Sequence, residues 1–502
     1  MTETRDQQKA PANDNVAALV DNGSLDFVGS ALNKRLLLKT DLLVLPLIVL
    51  TSTFAFLDKN GMAYAAVYGM KTDTNLKGQE YSWLGSIFYF GYLLAEFPTL
   101  WLLPKVPIGK YIGVCLTCWG LCLCCMAACH NFGGLATVRF LLGVFEAGIL
   151  PALMMMNSMW WRREEQPLRT ALWYNTFAVG QILPSFPPGI FGGILSYAIG
   201  KINGSLETWK YIFLIYGSVT MGYGILVFAA LPDRPEKAWF FSAEEKKASI
   251  IRTADNQTEA KKHREWKTAH ILEAVRDPKY WCVVVFTIAQ SITNAGITNF
   301  NPLIISGYGF SQSKTTLMAT PQAAVALVAQ VFCTTLAFFI PNIRCVLWVL
   351  GTLPALAGAV MIHVLDVQAA RSASLAGVYL MGFYNVAWVL MLSLQSSNTA
   401  GETKKSFCSV SVAVFYAVGN IVGPQFFRES QSPHYPLGIS AMLCCFAIMA
   451  ATGALYGLLC VVENRRRDSL YGRPVTALED PSLSTEAEDR TDFENTNFRY
   501  VY

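Results

Sequence analysis

The chain alternates between long apolar runs and short polar intervals. Apolar runs fall at about 41–57, 80–103, 110–130, 134–158, 170–198 and 210–230. A second set follows at about 280–305, 315–340, 345–364, 373–397, 406–427 and 438–462. Each is close to the roughly 20 apolar residues that a helix needs to cross the hydrocarbon of a bilayer. The pattern predicts an all-α polytopic membrane protein with twelve transmembrane helices in two sets of six, the sets divided by a hydrophilic interval. The boundaries expected are a disordered N-terminus over 1–35, a first six-helix bundle over 36–230 and a central loop over 231–279. A second bundle over 280–463 and a disordered tail over 464–502 complete the chain. Proline and glycine inside the runs do not argue against helix, because membrane helices tolerate both. The prolines at 184, 187 and 188 and the glycines at 189, 192 and 193 predict a bent or broken fifth span.

Lysine and arginine set the orientation. With the N-terminus inside, the inner flanks hold Lys34, Arg35, Lys39, Lys105, Lys110, Arg162, Arg163, Arg169, Arg344, Lys404, Lys405 and Arg465 to Arg467. The outer flanks hold fewer, namely Lys59, Lys71, Lys77, Lys201, Lys210, Lys314, Arg371 and Arg428. Both termini are therefore expected in the cytoplasm by the positive-inside tendency. The sequon at Asn203 then lies outside, where a glycan could attach.

Composition agrees with this picture: 53% of the 502 residues are hydrophobic and only 15% are charged. The net charge of +4 and the lack of a basic patch interleaved with aromatics give no nucleic-acid surface. Six of the 13 cysteines crowd between Cys115 and Cys129 within one apolar run. They read as small residues for close helix packing rather than a disulfide framework or a metal site. No nucleotide loop, metal-ligand array or nucleophile–base arrangement is present, so no enzyme and no cofactor is expected.

Three ionisable residues fall well within the spans: Glu96, Arg139 and Glu146. An intramembrane charge is costly unless paired or hydrated, which makes each a functional candidate. In RFLLGVFEAGIL, Arg139 and Glu146 lie about 10 Å apart along a helix at 1.5 Å per residue, on nearly one face. Glu146 can take up a proton, since burial raises a carboxyl pKa, or serve as a neutral structural carboxyl. Arg139 can attract an anion or pin a neighbouring helix. Glu96 is expected at a gate or in packing. Asp58, in FLDKNGMAY, is expected to end the first span at the outer surface.

Uncharged polar side chains add to these. Gln290, Asn294, Thr298 and Asn301 repeat along one face of the seventh span. They can bond a ligand or a neighbouring helix. Tyr384, Asn385 and Trp388 stand in the tenth span and can present an aromatic wall. Tyr416 and Asn420 sit in the eleventh, beside glycines at 419 and 423 that suggest close packing.

Several stretches carry a resemblance: FLDKNGMAY, RFLLGVFEAGILPALMMMNSMWWRREEQPLR, TWKYIFLIYGS, NTAGETKKS and YAVGNIVGPQFF. With them the chain from about Leu36 to Glu463 resembles the major facilitator superfamily, within it the fungal anion:cation symporters related to allantoate permease. The resemblance implies two six-helix bundles around one cavity that opens alternately to each side. Spans one, four, seven and ten would line it, placing Arg139, Glu146, Asn294, Thr298, Tyr384, Asn385 and Trp388 on cavity helices. It implies that the RREEQPLR and GETKKS loops latch the halves, through Arg163, Glu165, Arg169, Lys404 and Lys405, with Asp58 and Glu96 as gate candidates. It further implies proton-coupled uptake of a small organic anion or vitamin-like carboxylate across the plasma membrane, by a monomer embedded in lipid. Export of a fungal metabolite or drug is the alternative. Glu402 departs from the histidine common at that position of the subfamily, and LLPKVPIGKY lacks the superfamily's acidic and arginine-rich gating motif.

Overall fold

The computed structural model describes residues 31–162, 164–166, 169–170, 188–202, 204–258, 267–365, 370–472 and 490–502. Among these residues the chain is helical and carries no strand. Eleven helical segments are long and apolar enough to cross a membrane. They match the expected runs except the fifth, of which the helix Pro188–Ile199 is described and residues 171–187 lie outside the described residues. Arg163 and Asn203 also lie outside them.

Two ends differ from expectation. The first span extends over Leu32–Val67 instead of stopping near 57. The run GMAYAAVYG continues the helix past Asp58 and Lys59, because both charges find partners inside the protein. The last helix runs over Pro436–Tyr471, beyond the expected end near 462. Residues 490–502, expected to be disordered, pack against the second half: Thr491 and Asp492 are fully buried and Tyr500 is 2% exposed. Polar composition misleads here, since partners from other helices hold the segment.

Helix starts follow local chemistry. Asn131 accepts from the Gly134 N–H at 2.9 Å to open the fourth span. Asp277 accepts from the Lys279 N–H at 2.9 Å, with Pro278 in the first turn of the seventh. Such caps satisfy N–H groups that the helix leaves unpaired. The fourth span breaks once, between Phe132–Glu146 and Ile149–Trp160. Pro151 has no N–H to bond the Ala147 carbonyl four residues back, so the break falls directly after Glu146.

Within the first half, spans three and six and spans two and four pack in pairs; within the second, spans nine and twelve and spans seven and eleven do so. The halves meet through spans one with seven, two with eleven, and five with eight. Gly193 lets the last pair approach, since a Cβ there would lie 2.2 Å from Thr320 Cγ2. The two ends of the molecule are unlike. At the end away from the central loop, Tyr81 donates to the Asn299 carbonyl at 2.8 Å and Ser82 to that of Phe427 at 3.0 Å. Ser86 donates to the Ile421 carbonyl at 2.6 Å, and Lys71 pairs with Glu429. At the loop end, ion pairs among the described residues hold charges within a half or tie a half to the central loop. Arg169 binds Asp41 at 2.7 Å, Arg252 pairs with Glu165, and Lys404 binds Glu273 at 2.8 Å.

Candidate functional site

An open cavity of about 570 Å³, including solvent space at its mouth, lies between the halves. Asn60 and Tyr64 line it from span one, Thr298 and Asn301 from span seven, Gln322 from span eight, and Tyr384 and Asn385 from span ten. Asn301 Nδ2 donates to Gln322 Oε1 at 2.5 Å. The other ends of these two amides, Asn301 Oδ1 and Gln322 Nε2, are buried without a partner among the described residues. An unmade hydrogen bond of this kind is costly, so both atoms favour a ligand that completes them.

Lys59, next in sequence to the cavity-lining Asn60 though not itself in the lining, places Nζ 2.9 Å from Glu146 Oε1, the two side chains being 21% and 9% exposed. Lys59 was expected on the outer flank, outside the apolar run. It is instead interior to the helix Leu45–Val67 and joins span one to span four. The same ammonium stands 5.2 Å from the Phe88 ring and 5.7 Å from that of Tyr89. Aromatic faces attract a partly desolvated cation. Tyr89 then meets Tyr416 at 6.1 Å, and Tyr416 meets Trp388 at 5.6 Å, centroid to centroid. An aromatic chain thus runs from the ion pair across to span ten.

Arg139 is 3% exposed and makes no direct pair with Glu146 among the described residues. Its Nη2 lies 2.9 Å from Met62 Sδ, its guanidinium 5.6 Å from the Phe88 ring, and its Nε has no partner among the described residues. Phe88 therefore stands between two cations from spans one and four. Asp58 is also inside the helix, not at its end as expected: it is 1% exposed and accepts from Thr220 Oγ1 at 3.0 Å. Glu96 is 8% exposed, with Oε2 unpartnered among the described residues. Neither carboxyl meets a cation among the described residues, so each is a buried acid off the aromatic chain.

The polar face of span seven divides. Asn294 is spent on helix contacts: its Nδ2 donates to Asn420 at 3.0 Å and to Tyr416 at 3.4 Å, and its Oδ1 accepts from Tyr384 at 3.0 Å. Gln290 reaches Asn385 at 3.5 Å. Thr298 and Asn301 face the cavity. Glu165, Arg169 and Lys404 all sit at the loop end, and Lys405 is exposed there. Sequence reasoning missed Lys59 as an interior charge, Gln322, Phe88 and Tyr89. For Lys59 the signal was the unbroken run of small and apolar residues after Asn60.

A family model described as Major Facilitator Superfamily matches residues 48–424. The chain belongs to the major facilitator superfamily. An uncharacterized transporter of Schizosaccharomyces pombe is 38% identical over 93% of this chain and 87% of its own length. The allantoate permease of Saccharomyces cerevisiae is 33% identical over 93% and 86%. The thiamine pathway transporter of the same yeast is 30% identical over 95% and 88%. Among solved structures, a D-xylose–proton symporter superposes with a TM-score of 0.60 at 12% identity, over 83% of this chain and 96% of that one. An inward-facing bacterial homologue of the lysosomal transporter Spinster gives 0.60 at 15% identity, with the same coverage. The protein is thus a multi-pass membrane transporter of this superfamily and not an enzyme, and a small molecule is its substrate.

Proposed function

We propose that the protein takes up a small organic anion together with protons, with Glu146 as the proton carrier and Lys59 as the group that receives the anion. The Lys59–Glu146 pair, which joins span one to span four next in sequence to the cavity-lining Asn60, carries this reading. While Glu146 is ionised it occupies Lys59. A proton arriving at Glu146 cancels that partner and leaves a desolvated ammonium free for a substrate carboxylate. Proton and anion then favour each other's binding, which is the differential affinity that coupling requires. Arg139 adds positive potential behind Phe88. Thr298, Asn301 and Asn385 supply hydrogen bonds, and Tyr384 and Trp388 the aromatic wall. The names of the allantoate and thiamine-pathway relatives point to the same range of small nitrogenous or carboxylate cargo.

The joined end away from the central loop, with the described loop-end pairs lying within a half or between a half and the central loop, fits an inward-facing state in which both termini and the central loop are cytoplasmic. In the opposite state Arg169, Glu165, Lys404 and Lys405 would latch the loop end, while Asp58 and Glu96 tune the first half's movement. No cofactor takes part; the coupling ion is the proton, and the transporter acts as a monomer in the plasma membrane. Export is the alternative that a proline- and glycine-rich fifth span would favour. Pro184 and Pro187 lie outside the described residues, and Gly193 serves packing against span eight. Uptake and counterflow of allantoate, other ureides, vitamins and small carboxylates at acidic and neutral external pH tests the reading. Accumulation of one such anion that rises in acid is expected. Uptake indifferent to external pH, or efflux alone, would remove it.

A further inference from the structure

Residues 490–502 follow the last span, yet they hold some of the most fully satisfied polar groups at the loop end. Arg467, near the end of span twelve, donates to the carbonyls of Asp492, Asn495 and Phe498 at 2.9, 3.2 and 3.1 Å, and to the Tyr500 hydroxyl at 3.2 Å. Asn398, at the end of span ten, exchanges two hydrogen bonds with the Val501 backbone, 2.8 and 2.7 Å long. Asn464 exchanges two with the Tyr500 backbone, both 2.8 Å. Thr491 Oγ1 donates to Glu273 at 2.9 Å, on the central-loop helix Thr268–Arg276. Side chains from two helices, spans ten and twelve, bond the backbone of this one segment, and a third helix accepts from its Thr491 side chain.

The segment also changes the state of Lys404. Its ammonium has three donors. One goes to Glu273 at 2.8 Å and one to Asp492 at 2.6 Å, while Asp277 lies at 3.8 Å and the Phe493 ring at 4.2 Å. The Lys404 side chain is 2% exposed. Glu273 and Asp277 belong to the end of the central loop that leads into span seven, and Asp492 and Phe493 to the terminal segment; none lies on the first bundle. Asp492 is held in turn by the Tyr500 hydroxyl at 2.7 Å. Nearby, Lys279 lies 3.2 Å from Asp277 and the His270 imidazole 3.9 Å from Glu494.

We propose that residues 490–502 form a releasable clasp that reserves Lys404 for the second half while the loop end is apart. Undocking the clasp hands Lys404 to acidic groups of the first half, Asp41 and Glu165, as the loop end closes. The inference rests on the latch reading above and on none of its transport chemistry. Replacing Asp492 by Asn removes the charge that competes for Lys404. Thr491→Glu releases the clasp independently, by placing a carboxylate against Glu273 and Asp492.

The test uses full-length protein in lipid nanodiscs, on a background freed of exposed cysteines, without substrate. A nitroxide at the exposed Thr496 reports docking through its mobility. A nitroxide pair at Lys105 and Arg465, one exposed site on each half, reports the loop-end separation by pulsed dipolar spectroscopy. Both variants are expected to mobilise the Thr496 label and to raise the short-distance population several-fold. That rise disappears when Lys404→Met is added. A mobile tail with an unchanged distance distribution overturns the proposal, as does a tail that stays immobile in both variants. A shift that persists without the Lys404 amine also overturns it. Loss of proton-coupled uptake alone touches only the transport reading.

Discussion

Gly143 lies one turn before Glu146, where spans two and four touch backbone to backbone. A Cβ at 143 would stand 2.0 Å from the Phe88 carbonyl oxygen and 3.0 Å from Tyr92 N. The facing Gly91 is as tight, with 2.1 Å to the Phe140 oxygen. Carbon and carbonyl oxygen rest at about 3.3–3.6 Å even in their closest favourable contacts, so Gly143→Ala demands more than an ångström of separation. Overpacking of this kind costs about 1–3 kcal/mol, and the upper part applies because backbone atoms cannot swing aside. At about 2–4 °C per kcal/mol for a domain of this size, the midpoint should fall by about 4–12 °C. The displacement also reaches the site. Phe88 lies under Lys59 and Arg139, and a misplacement of about 1 Å can cost on the order of 100-fold in rate. Thermal unfolding of the solubilised protein, with uptake in parallel, reads both effects. Gly133→Ala is the control, its nearest neighbour being 3.8 Å away. If Gly143→Ala matches that control in stability and uptake, the close approach of spans two and four does not position Glu146.

Lys59→Ala should destabilise the transporter by about 3 kcal/mol, the lower end for removing one partner of a buried pair, since Lys59 keeps 21% exposure. Adding Glu146→Gln should recover part of that loss in the same melting assay, because no unpaired carboxylate then remains. Lys71→Ala or Glu429→Ala removes the ion pair across the joined end and should cost about 0–1 kcal/mol. Either should speed labelling of a cysteine at Asn60 by an impermeant thiol reagent from outside, and exchanging the two charges should slow it again. Outside the membrane, the hydrogen bonds from Lys39, 2.7 and 2.8 Å long, hold the Glu245 carboxyl below its ordinary value of 4.5. A depressed carboxyl contributes its stabilisation fully above the ordinary value and loses it as pH falls through the depressed one. Proteolysis of the helix Ala243–Thr258 should therefore rise on acidification in the parent and become less pH-dependent in Lys39→Met.

The fold was legible because a lipid-crossing helix leaves a continuous apolar record, and Glu96, Arg139 and Glu146 stood out against it as interior charges. Asp58 and Lys59 were misplaced for the same reason: adjacent charges look like a helix end. Their compensating partners, Thr220 and Glu146, lie on spans six and four, and no local pattern links positions so far apart. Asn294 illustrates a second limit. Its spacing with Thr298 reads as one polar face of span seven, but the Asn420 and Tyr384 contacts that use it up belong to other helices. The C-terminal segment is the third. Its polar composition gives no core, and its order comes from Arg467, Asn398 and Lys404.

Proton coupling through Glu146 is tested most directly by comparing exchange with accumulation in Glu146→Gln, using whichever anion the uptake screen identifies. A permanently neutral side chain should leave Lys59 open, so counterflow at equal pH persists while accumulation driven by an acid exterior is abolished. Acid-driven accumulation at the parent level in Glu146→Gln would contradict the assignment.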